Sequence, residues 1–207
     1  MSPPYPVNLR LDGRPVLLVG GGNVALEKME VLADAGAAVT VVAPEVRDEV
    51  AALAAEVRRR PFEAGDTAGF RLVVAATGDR AVAGQVFDEA EAAGIWVNSA
   101  DDPDRCTFTL PSRLRHGDLL VTVSTDGASP AFATWLRDEI DAWLEPAHLE
   151  ALALLTAERR RMRAEGRPTA HPGWHEALRS GMLERLRDGD VPGAEELLRT
   201  CLSSPSA

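Results

Sequence analysis

The sequence predicts an α/β fold, with a parallel sheet whose strands alternate with helices, then a small α+β region and a helical C-terminal region. Three observations predict it. Short apolar, β-branched runs alternate with helix-period stretches between Pro15 and Asn98. The first of these runs, Val16 to Val19, enters three consecutive glycines, Gly20 to Gly22, and then a helical pattern. Past Pro146 the strand-like runs stop and helical patterning continues alone.

The glycine turn carries the most information. Gly20-x-Gly22-x-x-Ala25 fits the G-x-G-x-x-A form of the dinucleotide fingerprint, and it stands between a strand and a helix, the context the fingerprint requires. Gly20 permits the tight turn, Gly22 lets the backbone approach a pyrophosphate, and Ala25 keeps the helix close to the sheet. The helix N-terminus then offers N–H groups and a partial positive charge to the phosphates. The parallel sheet is therefore expected to be Rossmann-like.

The remaining elements follow in order. Pro3 to Arg10 is an extended entry segment. The first helix runs to about Ala35, with Gly36 suited to a left-handed C-cap. Val39 to Ala43 reads as a buried strand, Val46 to Glu56 as a short helix and Val57 to Pro61 as a third strand. Arg71 to Ala76 is a fourth strand, Arg80 to Ala93 a helix and Ile95 to Asn98 a fifth strand. Thr107 to Leu110 and Leu119 to Ser124 read as two further strands joined by Pro111 to Asp118. Ser129 caps a helix that opens on Pro130 and runs to Leu144. Glu145-Pro146 is a boundary, followed by helices at His148 to Arg163, Trp174 to Arg187 and Ala194 to Leu202. The expected domains are 1–112, a nucleotide-binding domain, then 113–145, and 146–207, a helical region.

Bulk properties exclude several classes. The 207 residues are 45% hydrophobic, enough for a core. A net charge of -10 argues against nucleic acid and anionic membranes as partners. No apolar run approaches a membrane span, and Met1 to Asp12 lacks the form of a signal peptide. Cys106 and Cys201 make neither a disulfide framework nor a zinc spacing, so a cytoplasmic setting fits. Tyr5 is the only tyrosine and Lys28 the only lysine, which excludes a Tyr-x-x-x-Lys dehydrogenase.

Site candidates come from strand ends, where ligands sit in such sheets. Pro44 and Glu45 follow the second strand. Glu45 is read equally as an acid for the ribose hydroxyls and as a first-turn acid of the next helix. Arg47 lies beyond the strand end, so no arginine is expected to greet a 2′-phosphate and NAD is favoured over NADP. Thr77 is a cofactor candidate, and Thr77 or Asp79 also suits a helix cap. Asp101, Asp102 and Asp104 cluster after the fifth strand, where a carboxylate could take a proton and where an acidic turn is the plainer alternative. Ser124 to Pro130 is a polar loop able to cradle an anion or simply to turn. His171 and His175 are split by Pro172 and Gly173, so no metal site is expected.

Taken together these stretches resemble the precorrin-2 dehydrogenase family, the N-terminal module of siroheme synthase, some of whose members are also sirohydrochlorin ferrochelatases. The resemblance rests on Val-Leu-Leu-Val-Gly-Gly-Gly-Asn-Val-Ala, Val-Thr-Val-Val-Ala-Pro-Glu, Val-Val-Ala-Ala-Thr-Gly-Asp, Val-Asn-Ser-Ala-Asp-Asp-Pro, Phe-Thr-Leu-Pro-Ser and Val-Ser-Thr-Asp-Gly-Ala-Ser-Pro-Ala, in family order from Leu9 to Leu144. It implies NAD-dependent oxidation of the tetrapyrrole precorrin-2 to sirohydrochlorin, in siroheme or cobalamin biosynthesis. It implies Asp101 as the essential aspartate, Asn23, Val24, Pro44 and Glu45 as cofactor contacts, and a homodimer with 113–145 as dimerisation region. Thr125 stands where a relative carries a phosphorylated serine, and Glu27-Lys28 where the family commonly has Arg-Lys. A polyanionic substrate needs local positive charge, for which Arg105, Arg113 and His116 are candidates, with the hydroxyls of Ser124 and Ser129. Iron insertion is left open. Two other functions share the glycine turn: an NAD-sensing domain without chemistry, and a tetrapyrrole carrier that needs no NAD.

Overall fold

Continuous apolar, β-branched runs build a sheet whose central strands are buried on both faces. The computed structural model describes residues 4–100 and 102–203. The chain forms two units, Met1–Leu110 and Pro111–Ala207. In the first, β1 (Pro15–Val19), α1 (Asn23–Asp34), β2 (Ala38–Val42), α2 (Asp48–Leu53), β3 (Glu56–Arg58), β4 (Leu72–Ala75), α3 (Arg80–Ala92) and β5 (Trp96–Ser99) alternate along the chain. The strands form one parallel sheet in the order β3-β2-β1-β4-β5. The α/β, Rossmann-like expectation is borne out. Strand order reverses between β1 and β4, so the crevice at the carboxyl ends of these two strands is where such a sheet takes a ligand.

The period of two divides the core. Val16, Leu18, Val39, Val41, Leu72 and Val74 pack with Ala25, Met29 and Leu32 of α1 and Val50 of α2. Leu17, Val19, Val73, Ala75 and Val97 point the other way, onto Ala83, Val86 and Ala90 of α3. Parallel strands covered by helices on both faces read as continuous apolar runs, which is why Val16 to Val19 shows no polar alternation.

The second unit opens with β6 (Ser112–His116) and β7 (Leu119–Val123), an antiparallel hairpin whose register pairs Ser112 with Val123 and His116 with Leu119. Gly117-Asp118 is its two-residue turn, with glycine first, as a II′ turn asks. α4 (Pro130–Trp143) packs on both strands. Then α5 (Pro146–Ala164), α6 (Gly173–Arg179), α7 (Met182–Arg187) and α8 (Val191–Ser203) surround a core that includes Ala151, Met162, Ala177, Met182, Leu186 and Leu198. Glu145 caps α5: its backbone N–H donates to His148 Nδ1 at 3.0 Å, and its carboxylate accepts from Arg187 at 2.7 Å, tying the start of α5 to the end of α7. No helix among the described residues is long and apolar enough to cross a membrane.

Several boundaries differ from expectation. Thr107 to Leu110 is not a strand. Thr107 donates its N–H to Val97 O at 2.8 Å and accepts the Val97 N–H on its hydroxyl at 2.8 Å, so its side chain replaces the next rung and no ladder propagates. The strand lies instead at Ser112–His116, inside the expected connection. Its residues Ser-Arg-Leu-Arg-His hold one buried side chain, Leu114, too weak an alternation to read. The helix expected over Trp174 to Arg187 is two helices, broken at Gly181, whose φ of +99° is closed to most other residues. The helix expected from Val46 begins at Asp48, leaving Pro44 and Glu45 in a bend.

Candidate functional site

Three backbone segments meet at the carboxyl end of β1. Gly20 has φ +128°, and a Cβ there would lie 2.2 Å from Ala76 O, beyond the end of β4. A Cβ at Gly21 would lie 2.2 Å from Glu45 O, in the bend after β2. The glycine turn is thus wedged between the exits of β4 and β2, and both glycines are required by close backbone approach. Gly22 is different: a Cβ there meets nothing within 4 Å. That open space lies at the N-cap of α1, which has no side-chain cap, so the first N–H groups of the helix are left for solvent or an anion. This arrangement fits a dinucleotide pyrophosphate on the observed backbone.

A cavity of about 410 Å³ adjoins the turn, lined by Gly21, Gly22, Glu45, Val46 and Arg47. Glu45 is exposed on its rim, outside the first turn of α2. Pro44 is exposed beside it, and Asn23 and Val24 are exposed at the start of α1. Arg47 returns over the turn: its N–H donates to Gly21 O at 3.0 Å and its guanidinium to Asn23 Oδ1 at 2.6 Å and Glu49 at 2.7 Å. Gly21, Val46 and Arg47 are the lining residues that sequence reasoning left out of the site. The unbroken row of three glycines, with Gly21 in the middle, was a visible signal for Gly21. Arg47 was hidden because Val46 was expected to begin a helix.

Beyond β4, Asp79 caps α3 by accepting from the N–H groups of Ala81 and Val82, while Thr77 accepts the Asp79 N–H at 3.2 Å. The capping role falls to Asp79, leaving Thr77 as the half-buried residue behind it.

After β5 the chain folds back on a buried polar knot. Asn98 and Ser99 are each 7% exposed. The Asn98 amide donates to Phe108 O at 3.0 Å, and the single proton of the Cys106 thiol is shared between Ser99 O at 3.3 Å and Asp102 O at 3.4 Å. Burial pushes the Cys106 thiol above its ordinary range, which keeps the proton these bonds need. Ala100 N–H donates to Ala75 O at 2.9 Å. Asp101 lies outside the described residues.

Arg105 closes a 3-10 turn, Pro103–Arg105. It donates to Arg80 O at 3.0 Å, pairs with Asp102 at 3.6 Å and packs where a Cβ on Gly84 of α3 would stand. The other proposed substrate contacts are in the second unit. His116 Nε2 meets Asp141 Oδ1 at 2.7 Å. Arg113 is half-buried in β6. Ser124 accepts the Asp126 N–H, and Ser129 caps α4 by accepting the Phe132 N–H at 3.2 Å. His116 stands beside the hairpin turn and Ser124 at its open end, roughly 15 Å of strand apart, so the hairpin does not bring them together. A second cavity of about 490 Å³ lies between the hairpin turn and α5, with His116, Asp118, Leu152, Thr156 and Arg160 in its lining. Among the described residues no group of three or more His, Cys, Asp or Glu is placed to hold a metal.

Comparison with known proteins agrees with this geometry. A family model described as putative NAD(P)-binding matches residues 7–112, and one described as sirohaem biosynthesis protein central matches residues 117–142. The siroheme synthase of Methylococcus capsulatus is 41% identical over 201 residues, covering 93% of this chain and 42% of that protein. The siroheme synthase of Tolumonas auensis is 45% identical over 155 residues, covering 74% of this chain and 33% of that protein. The chain therefore spans less than half the length of these relatives. A solved structure of SirC, precorrin-2 dehydrogenase, matches with a TM-score of 0.73 and 27% identity, covering 95% of this chain and 98% of that one. The resemblance carried by the sequence motifs is thus borne out across both units. The chain belongs to the NAD(P)-binding family that the first model describes, with a sirohaem-biosynthesis central segment directly behind the nucleotide-binding one.

Proposed function

We propose that the chain is an NAD-dependent precorrin-2 dehydrogenase, which oxidises precorrin-2 to sirohydrochlorin in siroheme biosynthesis. The observation that carries the proposal is the open glycine turn at the point where strand order reverses: a wedged Gly20-Gly21, free space at Gly22 and an uncapped helix start behind it. The likeness to SirC, precorrin-2 dehydrogenase, over nearly the whole of both chains supports the choice of substrate.

In this proposal Gly20, Gly22, Asn23 and Val24 hold the pyrophosphate side of NAD, and Pro44, Glu45 and Thr77 border the rest. NAD, when bound, supplies the hydride acceptor. Asp101 takes the proton that leaves the macrocycle as the hydride departs. Asn98, Ser99 and Cys106 hydrogen-bond with one another and with Phe108 in the described segments before and after position 101. Arg105, Arg113, His116, Ser124 and Ser129 remain the proposed contacts for substrate carboxylates, with Arg105 spending part of its donor capacity on Arg80 O. We assign 1–112 to the cofactor, 113–145 to dimerisation and 146–207 to a helical region. The exposed Phe132, Trp135 and Trp143 of α4 support a homodimer, and the free thiols Cys106 and Cys201 suit the cytoplasm.

The test is anaerobic incubation of the purified protein with precorrin-2 and NAD, with and without ferrous or cobaltous ion. NADH should accumulate together with the sirohydrochlorin spectrum. A further metal- and protein-dependent spectral change would add chelatase activity. Bound NAD without NADH formation would favour an NAD sensor, and tetrapyrrole binding that needs no NAD would favour a carrier.

A further inference from the structure

Of the five residues that line the cavity beside the glycine turn, Arg47 alone is cationic. Its backbone is fixed there by the hydrogen bond to Gly21 O. Its side chain, 43% exposed, is held by Asn23 and by Glu49, which is itself 57% exposed. Exposed pairs of this kind are readily exchanged for another anion. The cavity adjoins the bend after β2, the place where a sheet of this topology reads the adenosine ribose: an acid there takes the 2′-hydroxyl and an arginine takes a 2′-phosphate. This chain presents both, Glu45 and Arg47, two positions apart on one rim.

We infer that Arg47 reads the 2′-phosphate of a dinucleotide, so that the chain takes NADP as well as NAD. The inference rests on the proposal that this cavity holds a dinucleotide. Bending the chain at Pro44–Glu45, before α2, is what brings Arg47 to the rim; a helix opening at Val46 would place it otherwise. The guanidinium offers a forked set of donors that suits a phosphate dianion, and its present contact with Asn23 keeps it at the start of α1. Glu45 opposes the added phosphate by like charge, so its removal should favour NADP further.

The experiment is calorimetric titration of the full chain with NAD and with NADP, separately, without tetrapyrrole. Wild type should bind NADP with a dissociation constant within about tenfold of that for NAD. Arg47→Ala should raise the NADP constant about tenfold more than the NAD constant, Arg47→Lys less so, and Glu45→Gln should shift the ratio towards NADP. NADP binding should also weaken more steeply with salt than NAD binding. Wild type that binds NAD but not NADP overturns the inference and leaves the dehydrogenase proposal standing. An Arg47→Ala variant that weakens both nucleotides equally also overturns it, since Arg47 would then only brace Asn23 and the glycine turn. Wild type that binds neither nucleotide sinks the dinucleotide proposal and this inference with it.

Discussion

Gly21 and Gly22 are neighbours with opposite reasons for being glycine. A methyl on Gly21 would run into the backbone oxygen of Glu45, and neither backbone can step aside without moving the end of β2. Gly21→Ala should therefore destabilise the fold by about 1–3 kcal/mol, as overpacking does, and weaken NAD binding through the distorted turn. Gly22→Ala meets open space and should leave stability within about 0.5 kcal/mol. It should nonetheless weaken NAD markedly, because the added methyl fills room proposed for the pyrophosphate. Urea unfolding and NAD titration of both variants check this. NAD binding at wild-type strength by Gly22→Ala would remove the pyrophosphate from Gly22.

Asp66 contributes a pH dependence at the same scale. It is 8% exposed and accepts two bonds from Arg60, at 2.6 and 2.7 Å. The Arg60 guanidinium holds its carboxyl below the usual range, against the opposing effect of burial, with help from the Glu63 N–H and the charge of Arg58. A depressed folded value means that the unfolded chain binds the proton first as pH falls. The contribution of Asp66 is therefore complete above its ordinary value near 4 and is lost as pH drops through the lower folded value. Asp66→Asn should flatten the fall in stability below pH 4 in acid-unfolding curves; an unchanged slope would mean that other carboxylates set it.

At the scale of elements, the caps decide where helices begin. Ser129 was read both as a cap and as a substrate contact, and the structure uses its hydroxyl oxygen for the Phe132 N–H. Ser129→Ala should cost about 1 kcal/mol with or without ligand. Ser129→Asp should keep the cap and the stability while repelling a polycarboxylate, so tetrapyrrole affinity should fall. Thermal unfolding and tetrapyrrole titration separate the two roles: Ser129→Asp binding tetrapyrrole as wild type does would leave Ser129 a cap alone. Caps were legible because they are local chemistry. The break at Gly181 was not, because apolar periodicity continues through Met182 and Leu186 and only backbone geometry interrupts the helix. The hairpin at Ser112–Val123 was half legible for the same kind of reason: Leu119 to Val123 is apolar, and its partner strand is not.

For the whole molecule, α4 leaves Phe132, Trp135 and Trp143 at 51%, 53% and 64% exposure, while Ala133 is its buried residue. Large aromatics left in water on one helix suit a second copy of the chain. For the proposed homodimer, Trp135→Asp combined with Trp143→Asp should keep the fold, since neither ring is in the core, and turn a dimeric wild type into a monomer in analytical ultracentrifugation; a monomeric wild type would remove the dimer from the proposal. A variant that stays dimeric would place the interface elsewhere.

By itself the sequence determined the Rossmann-like sheet, its strand sequence, the dinucleotide turn, the cap at Ser129 and a cap at either Thr77 or Asp79, because periodicity, β-branching and capping act over a few residues. Only the tertiary structure decided which backbone each glycine touches, that Thr107 ends pairing where a strand was expected, and that Arg47 belongs to the rim of the cavity beside the glycine turn. Those outcomes depend on how distant segments approach one another: Gly21 on Glu45, Thr107 on Val97, Arg47 on Asn23. A close contact between residues 10 or 24 positions apart leaves no mark on the pattern of either neighbourhood.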